Sequence, residues 1–246
     1  MTALGIDIGG SGIKGALVDF THGMLIGTRL RIPTPDPSTP GALVSATLDL
    51  VNQHDWQGPI GIAVPGVVRD GVVRTAANID DAWIGLDAAA MFSEALGRPV
   101  TILNDADSAG LAEARYGAGA GIRGVVLLLT FGTGIGSALM NNGVLVPNTE
   151  FGHLEFRGSS AEAYAAARLV KRDSMTIGWW AQRVNELLAY VEILLSPDRV
   201  IIGGGISKRF EEFAHLLDTV AEVVPAQLRN NAGIVGAALA AREDGS

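Results

Sequence analysis

Two glycine-rich turns and one Asn-Asp pair are the parts of this 246-residue chain whose types and spacing could do chemistry. Gly9-Gly10-Ser11-Gly12 lies between Leu4-Gly5-Ile6-Asp7-Ile8 and residues 13–20, and Gly132-Thr133-Gly134-Ile135-Gly136 lies between residues 124–130 and 137–140. All four flanks alternate or run apolar like strands, so each turn is predicted to close a β-hairpin. Glycines let successive backbone N–H groups face one concavity with no side chain in the way, which suits a phosphate group. Asp7 before the first turn supplies a carboxylate for Mg2+, directly or through water, and Lys14 after it supplies a countercharge. Gly10-Ser11-Gly12-Ile13-Lys14-Gly15 also satisfies G-x-G-x-x-G, but a dinucleotide fingerprint needs a helix after its glycines, and a strand pattern follows here. The chain has no Walker loop.

Asn104-Asp105 sits where a short apolar strand (100–103) meets an Ala-rich helix running to about Tyr116. Phosphoryl transfer to an alcohol needs a carboxylate within hydrogen-bond reach of the attacking hydroxyl, and Asp105 is the candidate base. Asn104, Asp105 or Asp107 can equally cap the helix, and neighbouring residues can divide the two jobs. Glu150-Phe151-Gly152-His153, Glu162 and Asn78 complete the polar inventory, a mixture of carboxylates, imidazole and amide that suits the paired hydroxyls of a hexose. Without cysteine or a His-x-x-x-His pair, no structural zinc site is expected.

The elements that must position these groups follow from pattern and punctuation. Residues 41–54 have helical spacing and 59–64 read as a strand; Asp87 is a predicted N-cap for a helix that Gly97 closes. Residues 180–196 read as a long amphipathic helix, followed by a strand at 199–202, the turn Gly203-Gly204-Gly205 and a small-residue helix at 233–241. Strand–helix alternation argues for an α/β protein, and the repeated strand–glycine turn–strand unit argues for two related lobes that meet near 117–124, although that glycine-rich stretch also reads as an ordinary loop. With 48% hydrophobic residues the chain can bury a sizeable core; its net charge of −8 offers no field for nucleic acid. No basic leader precedes the first strand, and the longest strongly apolar run is far too short to span a bilayer, so no membrane partner and a cytoplasmic location are expected.

Gly5-Ile6-Asp7-Ile8-Gly9-Gly10-Ser11-Gly12-Ile13-Lys14 resembles the first phosphate motif of the ROK sugar kinases, within the actin-like sugar kinase superfamily. Asn104-Asp105-Ala106-Asp107 resembles the family's catalytic segment, Thr130-Phe131-Gly132-Thr133-Gly134-Ile135-Gly136 its second phosphate motif, and Glu150-Phe151-Gly152-His153 its sugar signature. Three further segments, Thr75-Ala76-Ala77-Asn78-Ile79-Asp80, Gly152-His153-Leu154-Glu155-Phe156-Arg157-Gly158 and the stretch from Leu228 to Gly236, resemble the actinobacterial polyphosphate glucokinases.

The resemblance implies a two-lobed, ribonuclease H-like α/β fold with an interlobe cleft. Residues 1–116, joined by a C-terminal helix at 233–246, would form one lobe and 117–232 the other. It implies phosphorylation of glucose, with mannose as a second acceptor, at the 6-hydroxyl by polyphosphate or ATP, with Mg2+ and Asp105 as general base. Asn78, Asn104, Glu150, His153 and Glu162 would hold the hexose; Gly9, Gly10, Ser11, Lys14, Thr133 and Gly134 would face the donor phosphates; Gly203, Gly204 and Gly205 would match the nucleotide-base motif. Family likeness also suggests a homodimer. Typical ROK members carry a zinc-binding cysteine cluster after Gly-His, which this chain lacks, as do polyphosphate glucokinases, so the loop must be held by packing. A strictly ATP-dependent ROK hexose kinase is the alternative. Sugar-responsive ROK regulators carry a helix-turn-helix ahead of the kinase-like body, whereas here the phosphate strand begins within five residues of Met1, so catalysis is expected over regulation, and over a non-catalytic actin-like role.

Overall fold

The structure, a computed structural model, describes residues 2–243. In chain order the strands are β1 (Thr2–Gly9), β2 (Gly12–Asp19), β3 (Met24–Ile32), β4 (Ile60–Val64), β5 (Val68–Arg69), β6 (Val72–Val73), β7 (Val100–Asn104), β8 (Val125–Phe131), β9 (Ile135–Asn141), β10 (Val144–Val146), β11 (Glu155–Phe156), β12 (Ser159–Ser160), β13 (Arg199–Gly203) and β14 (Glu222–Pro225). The helices are α1 (Pro40–Gln53), α2 (Ala88–Leu96), α3 (Asp105–Tyr116), α4 (Ala161–Ala165), α5 (Arg168–Arg172), α6 (Ile177–Leu195), α7 (Phe210–Phe213) and α8 (Ala232–Glu243). They form two compact units: the chain up to Ala112 together with the chain from Asn231 onward, and Glu113–Asn230.

Each unit is built on a five-stranded sheet of one design. In the first the order is β3-β2-β1-β4-β7, with β1, β2 and β3 antiparallel and β1, β4 and β7 parallel. In the second it is β10-β9-β8-β13-β14, again an antiparallel meander followed by parallel pairings of β8, β13 and β14. The duplicated hairpin read from the sequence is therefore a duplicated sheet topology.

Leu4, Ile6 and Ile8 of β1 and Ile13 of β2 are fully buried and share a core with Leu43, Leu50 and Val51 of α1. All five residues of β4 are buried, as expected of a central parallel strand covered on both faces. Asp87 caps α2 through Ala90 N–H at 2.9 Å, and Gly97 closes it in the left-handed region at φ +66°. In the second unit Phe131, Trp180 and Phe213 stack edge to face, with centroids 5.4 and 5.1 Å apart, and Trp180 donates to Ala165 O. α6 starts three residues before the predicted Trp180 because the Thr176 hydroxyl accepts from Trp179 N–H. Among the described residues no helix is long and apolar enough to cross a membrane.

The glycine-rich stretch after α3 is pinned. Glu113, fully buried on α3, accepts the N–H groups of Ala118 (2.8 Å), Gln227 (3.2 Å) and Leu228 (2.7 Å), and Arg199 donates to Ala118 O at 2.7 Å. One carboxyl group thus satisfies three backbone donors from two loops. Glu113→Ala is expected to destabilise the protein by about 1–3 kcal/mol, the cost of leaving the buried Ala118 N–H without its acceptor, while the more exposed N–H groups of Gln227 and Leu228 can turn to water. Denaturant unfolding checks this, with Glu113→Gln showing a smaller loss.

Candidate active site

Parallel pairing brings the first set of predicted residues to one sheet edge. Asp7 is in register with Ala63, Ala63 with Leu103 and Val64 with Asn104, so β1, β4 and β7 end side by side. The carboxyl ends of parallel strands are where α/β proteins hold ligands. At this edge stand the Gly9–Gly12 turn, Asp7 and Asn104-Asp105, with two interstrand steps, about 10 Å, between β1 and β7.

The structure divides the labour within the Asn-Asp pair. Asn104 is buried, and its Oδ1 accepts from Ala106 N–H (2.8 Å) and Asp107 N–H (3.0 Å) while Nδ2 donates to Gly66 O (3.1 Å). Asn104 is therefore the helix cap. Asp105 is half-buried in the first turn of α3, where Oδ1 also accepts from Ala106 N–H at 2.8 Å.

The first hairpin is held from outside. Thr34 donates its hydroxyl to Gly9 O, and Arg31 donates to Ser11 O at 2.7 Å. Asn78, exposed, lies against Gly10, where a Cβ would sit 3.2 Å from Asn78 Cβ. Lys14 Nζ meets Asp7 Oδ2 at 3.1 Å, with the two side chains 28% and 18% exposed. Mg2+ keeps most of its waters and takes one or two carboxylates plus phosphate oxygens of a substrate, so a single carboxyl beside a glycine turn fits it, and Asp7 Oδ1 stays outside the lysine pair.

In the second unit β8 and β13 run parallel with Gly203 opposite Thr130, so the Gly132–Gly136 turn and the Gly203–Gly205 turn share one sheet edge. Gly204 has φ +77°, and a Cβ there would overlap the Phe131 backbone. Thr133 is exposed at the tip of its turn. Ser137 on β9 anchors the sugar-signature segment: its hydroxyl donates to Thr149 O (2.6 Å) and accepts from Phe151 N–H (2.9 Å), which fixes Glu150 between them.

Glu150 Oε2 lies 3.8 Å from His153 Nε2. Ser160 caps α4 through Ala163 N–H, which sets Glu162 in the first turn, where Oε2 reaches Ile135 N–H at 3.4 Å. That approach requires Gly134, since a Cβ there would overlap Glu162 Oε2. Glu150, His153 and Glu162 thus form one cluster beside the second glycine turn. The loop that would carry a cysteine cluster is instead held by Phe156 against Tyr164 and Tyr190, by Arg157–Glu186 at 2.8 Å and by Tyr164 Oη donating to Glu186 at 2.8 Å.

Sequence reasoning missed Ser137, Thr34 and Arg31. Only Arg31 carried a usable signal, the alternation Arg29-Leu30-Arg31-Ile32, which marks an edge strand with one apolar face.

Duplicated sheets with paired glycine turns, an Asn-Asp junction and a Glu-His-Glu cluster define a sugar-kinase fold, and the ROK family model matches residues 3–162. The chain belongs to the ROK family. It is 53% identical to the polyphosphate glucokinase of Mycobacterium tuberculosis over 98% of this chain and 91% of that one. Among solved structures it is similar to the inorganic polyphosphate/ATP-glucomannokinase of Arthrobacter sp. strain KM, with 47% identity, a TM-score of 0.94 and 99% of both chains covered. It is also similar to a ROK family glucokinase of Streptomyces griseus in complex with glucose and AMPPNP, with 25% identity, a TM-score of 0.81, 99% of this chain and all of that one covered.

Burial raises the pKa of Glu150 above its ordinary 4.5; His153 opposes the shift and Glu162 adds to it. A carboxyl with a raised folded-state pKa stabilises the fold relative to its ionised form below the unfolded pKa, and that contribution is lost as pH rises through the folded pKa. Glu150→Gln, which mimics the protonated form, should therefore raise the unfolding midpoint at neutral pH. The gain should shrink as pH falls towards 4.5, which thermal unfolding at several pH values would record.

Proposed function

We propose that the chain transfers a phosphoryl group from inorganic polyphosphate or ATP to the 6-hydroxyl of glucose, and of mannose as a second acceptor, with Asp105 as general base. The observation that carries this reading is the placing of Asp105 at the same sheet edge as the Gly9–Gly12 hairpin and Asp7. Kinship at 53% identity with a polyphosphate glucokinase supports the donor and acceptor.

Asn78, Asn104, Glu150, His153 and Glu162 are assigned to the hexose hydroxyls. Gly9, Gly10, Ser11, Lys14, Thr133 and Gly134 are assigned to the donor phosphates, and Gly203, Gly204 and Gly205 to the base of ATP. As the 6-hydroxyl oxygen bonds to the terminal phosphorus, its proton passes to the Asp105 carboxylate and the bridging P–O bond breaks, releasing the shortened donor. Asn104 serves this step indirectly, because its capping bonds fix the start of α3 and hence Asp105. Mg2+, held by Asp7 directly or through water, would supply charge neutralisation to the donor phosphates. Lys14 holds Asp7 in place and adds positive charge.

The proposal extends to a cytoplasmic homodimer. Tyr190, Ile193 and Leu194 leave an exposed apolar strip on α6, with Ile193 80% exposed, which supports an association face.

General-base assistance contributes about 10²–10⁴-fold to rate, so Asp105→Asn should lower kcat by that factor with the KM for glucose little changed. Glucose 6-phosphate formation by the wild type and this variant, assayed separately with long polyphosphate and with ATP, tests both parts. Near-normal kcat in the variant would remove Asp105 from the role, and turnover with ATP alone would favour the strictly ATP-dependent alternative.

A further inference from the structure

The Asp7–Lys14 pair does not end at Lys14. Register places Arg31 of β3 opposite Lys14 of β2, which is itself opposite Asp7 of β1, so the three side chains form one row across the sheet. Arg31 lies over Gly12, where a Cβ would sit 2.7 Å from its Nε, and its guanidinium is seated on the hairpin tip by the bond to Ser11 O. Arg29, two residues along β3, donates to the side-chain amide oxygen of Asn231 at 3.1 Å. Asn231 leads into α8, which packs on the face that bears Gly5 and Asp7. Lys14, Arg31 and Arg29 therefore run from the phosphate hairpin to the edge strand in steps of about 5 and about 7 Å.

The charge in this row is not cancelled. Lys14 has Asp7, but Arg31 and Arg29 are both exposed and meet neutral oxygens, and among the described residues neither is in an ion pair with a carboxylate. Arg157, Arg172, Arg199 and Arg209 are each matched with an acid, whereas Arg98 and Arg183, like Arg31 and Arg29, meet neutral oxygens; what sets Arg31 and Arg29 apart is their place beside the hairpin. In a chain of net charge −8, two uncompensated guanidinium groups fixed beside a phosphate turn suit an anion that is longer than one phosphate.

Resting on the polyphosphate reading above, we propose that Arg31 and Arg29 form a subsite for the internal phosphates of a linear inorganic polyphosphate, leading away from the terminal group held at the hairpin. These residues then set the preference for a chain donor over a nucleotide, because the row continues past the hairpin with two further cations that additional phosphates engage and a neutral nucleoside does not. Each guanidinium makes charge-assisted bonds to phosphate oxygens, and the polyanion adds a salt-dependent term.

The test combines equilibrium titration of long-chain polyphosphate with initial rates on polyphosphate and on ATP. Arg29→Ala/Arg31→Ala should weaken polyphosphate binding about tenfold or more, the loss expected for removing two charge-assisted contacts. Its KM for polyphosphate should rise by a similar factor relative to its KM for ATP, and its polyphosphate affinity should fall less steeply with added salt than the wild type's. Arg29→Ala alone, which leaves the Arg31 brace on Ser11 intact, should shift the same ratio in the same direction by a smaller factor. Equal rises in KM for both donors would mark Arg31 as a brace of the hairpin and overturn the proposal, as would unchanged polyphosphate binding. A wild type that neither binds nor uses polyphosphate would instead overturn the donor reading itself.

Discussion

Parallel pairing of β1, β4 and β7 is the constraint on which the first half of the site depends. Strands that run the same way must end on the same edge, so the hairpin after β1 and the helix start after β7 are delivered together by backbone hydrogen bonds alone. The second unit repeats the device with β8 and β13, which bring its own two glycine turns to one edge. Side chains then refine what the ladders set. Asn104 ties the end of β7 to both α3 and the Gly66 turn, and Ser137 ties the Glu150 segment to β9. These two residues fix the backbone that carries Asp105 and Glu150.

Charge follows the same economy. The chain is acidic as a whole, and several of its arginines are spent on neighbouring carboxylates. Arg31 and Arg29, in the row of cross-strand neighbours that leads out from the Gly9–Gly12 hairpin, meet only neutral oxygens. Glu150 stands beside Glu162 and is partly buried, and burial, with Glu162 adding and His153 opposing, raises its pKa.

Local signals in the sequence carried the frame well. The Asp87 cap, the Gly97 stop, both glycine hairpins and the strand-to-helix junction at 104–105 follow from residue type and near-neighbour spacing, and the repeat of strand–turn–strand foretold the repeated sheet. Features set by long-range register were not legible. β3 follows β2 closely and is mostly exposed, so nothing local says that Arg31 lies opposite Lys14. Glu162 meets the Gly134 turn 28 residues earlier in the chain, and only the folded path of the intervening loop brings them together. The division of roles between Asn104 and Asp105 was also undecidable from residue types, since both can cap; it took the hydrogen bonds of Asn104 to settle which one does.

The most direct measurement is an experimental structure of the protein with glucose and a non-transferable donor bound. The account predicts the 6-hydroxyl oxygen at about 2.6–3.2 Å from an Asp105 carboxyl oxygen, with the terminal phosphate on its far side. Glucose seated with that hydroxyl turned towards any other residue, out of reach of the Asp105 carboxyl group, would contradict it.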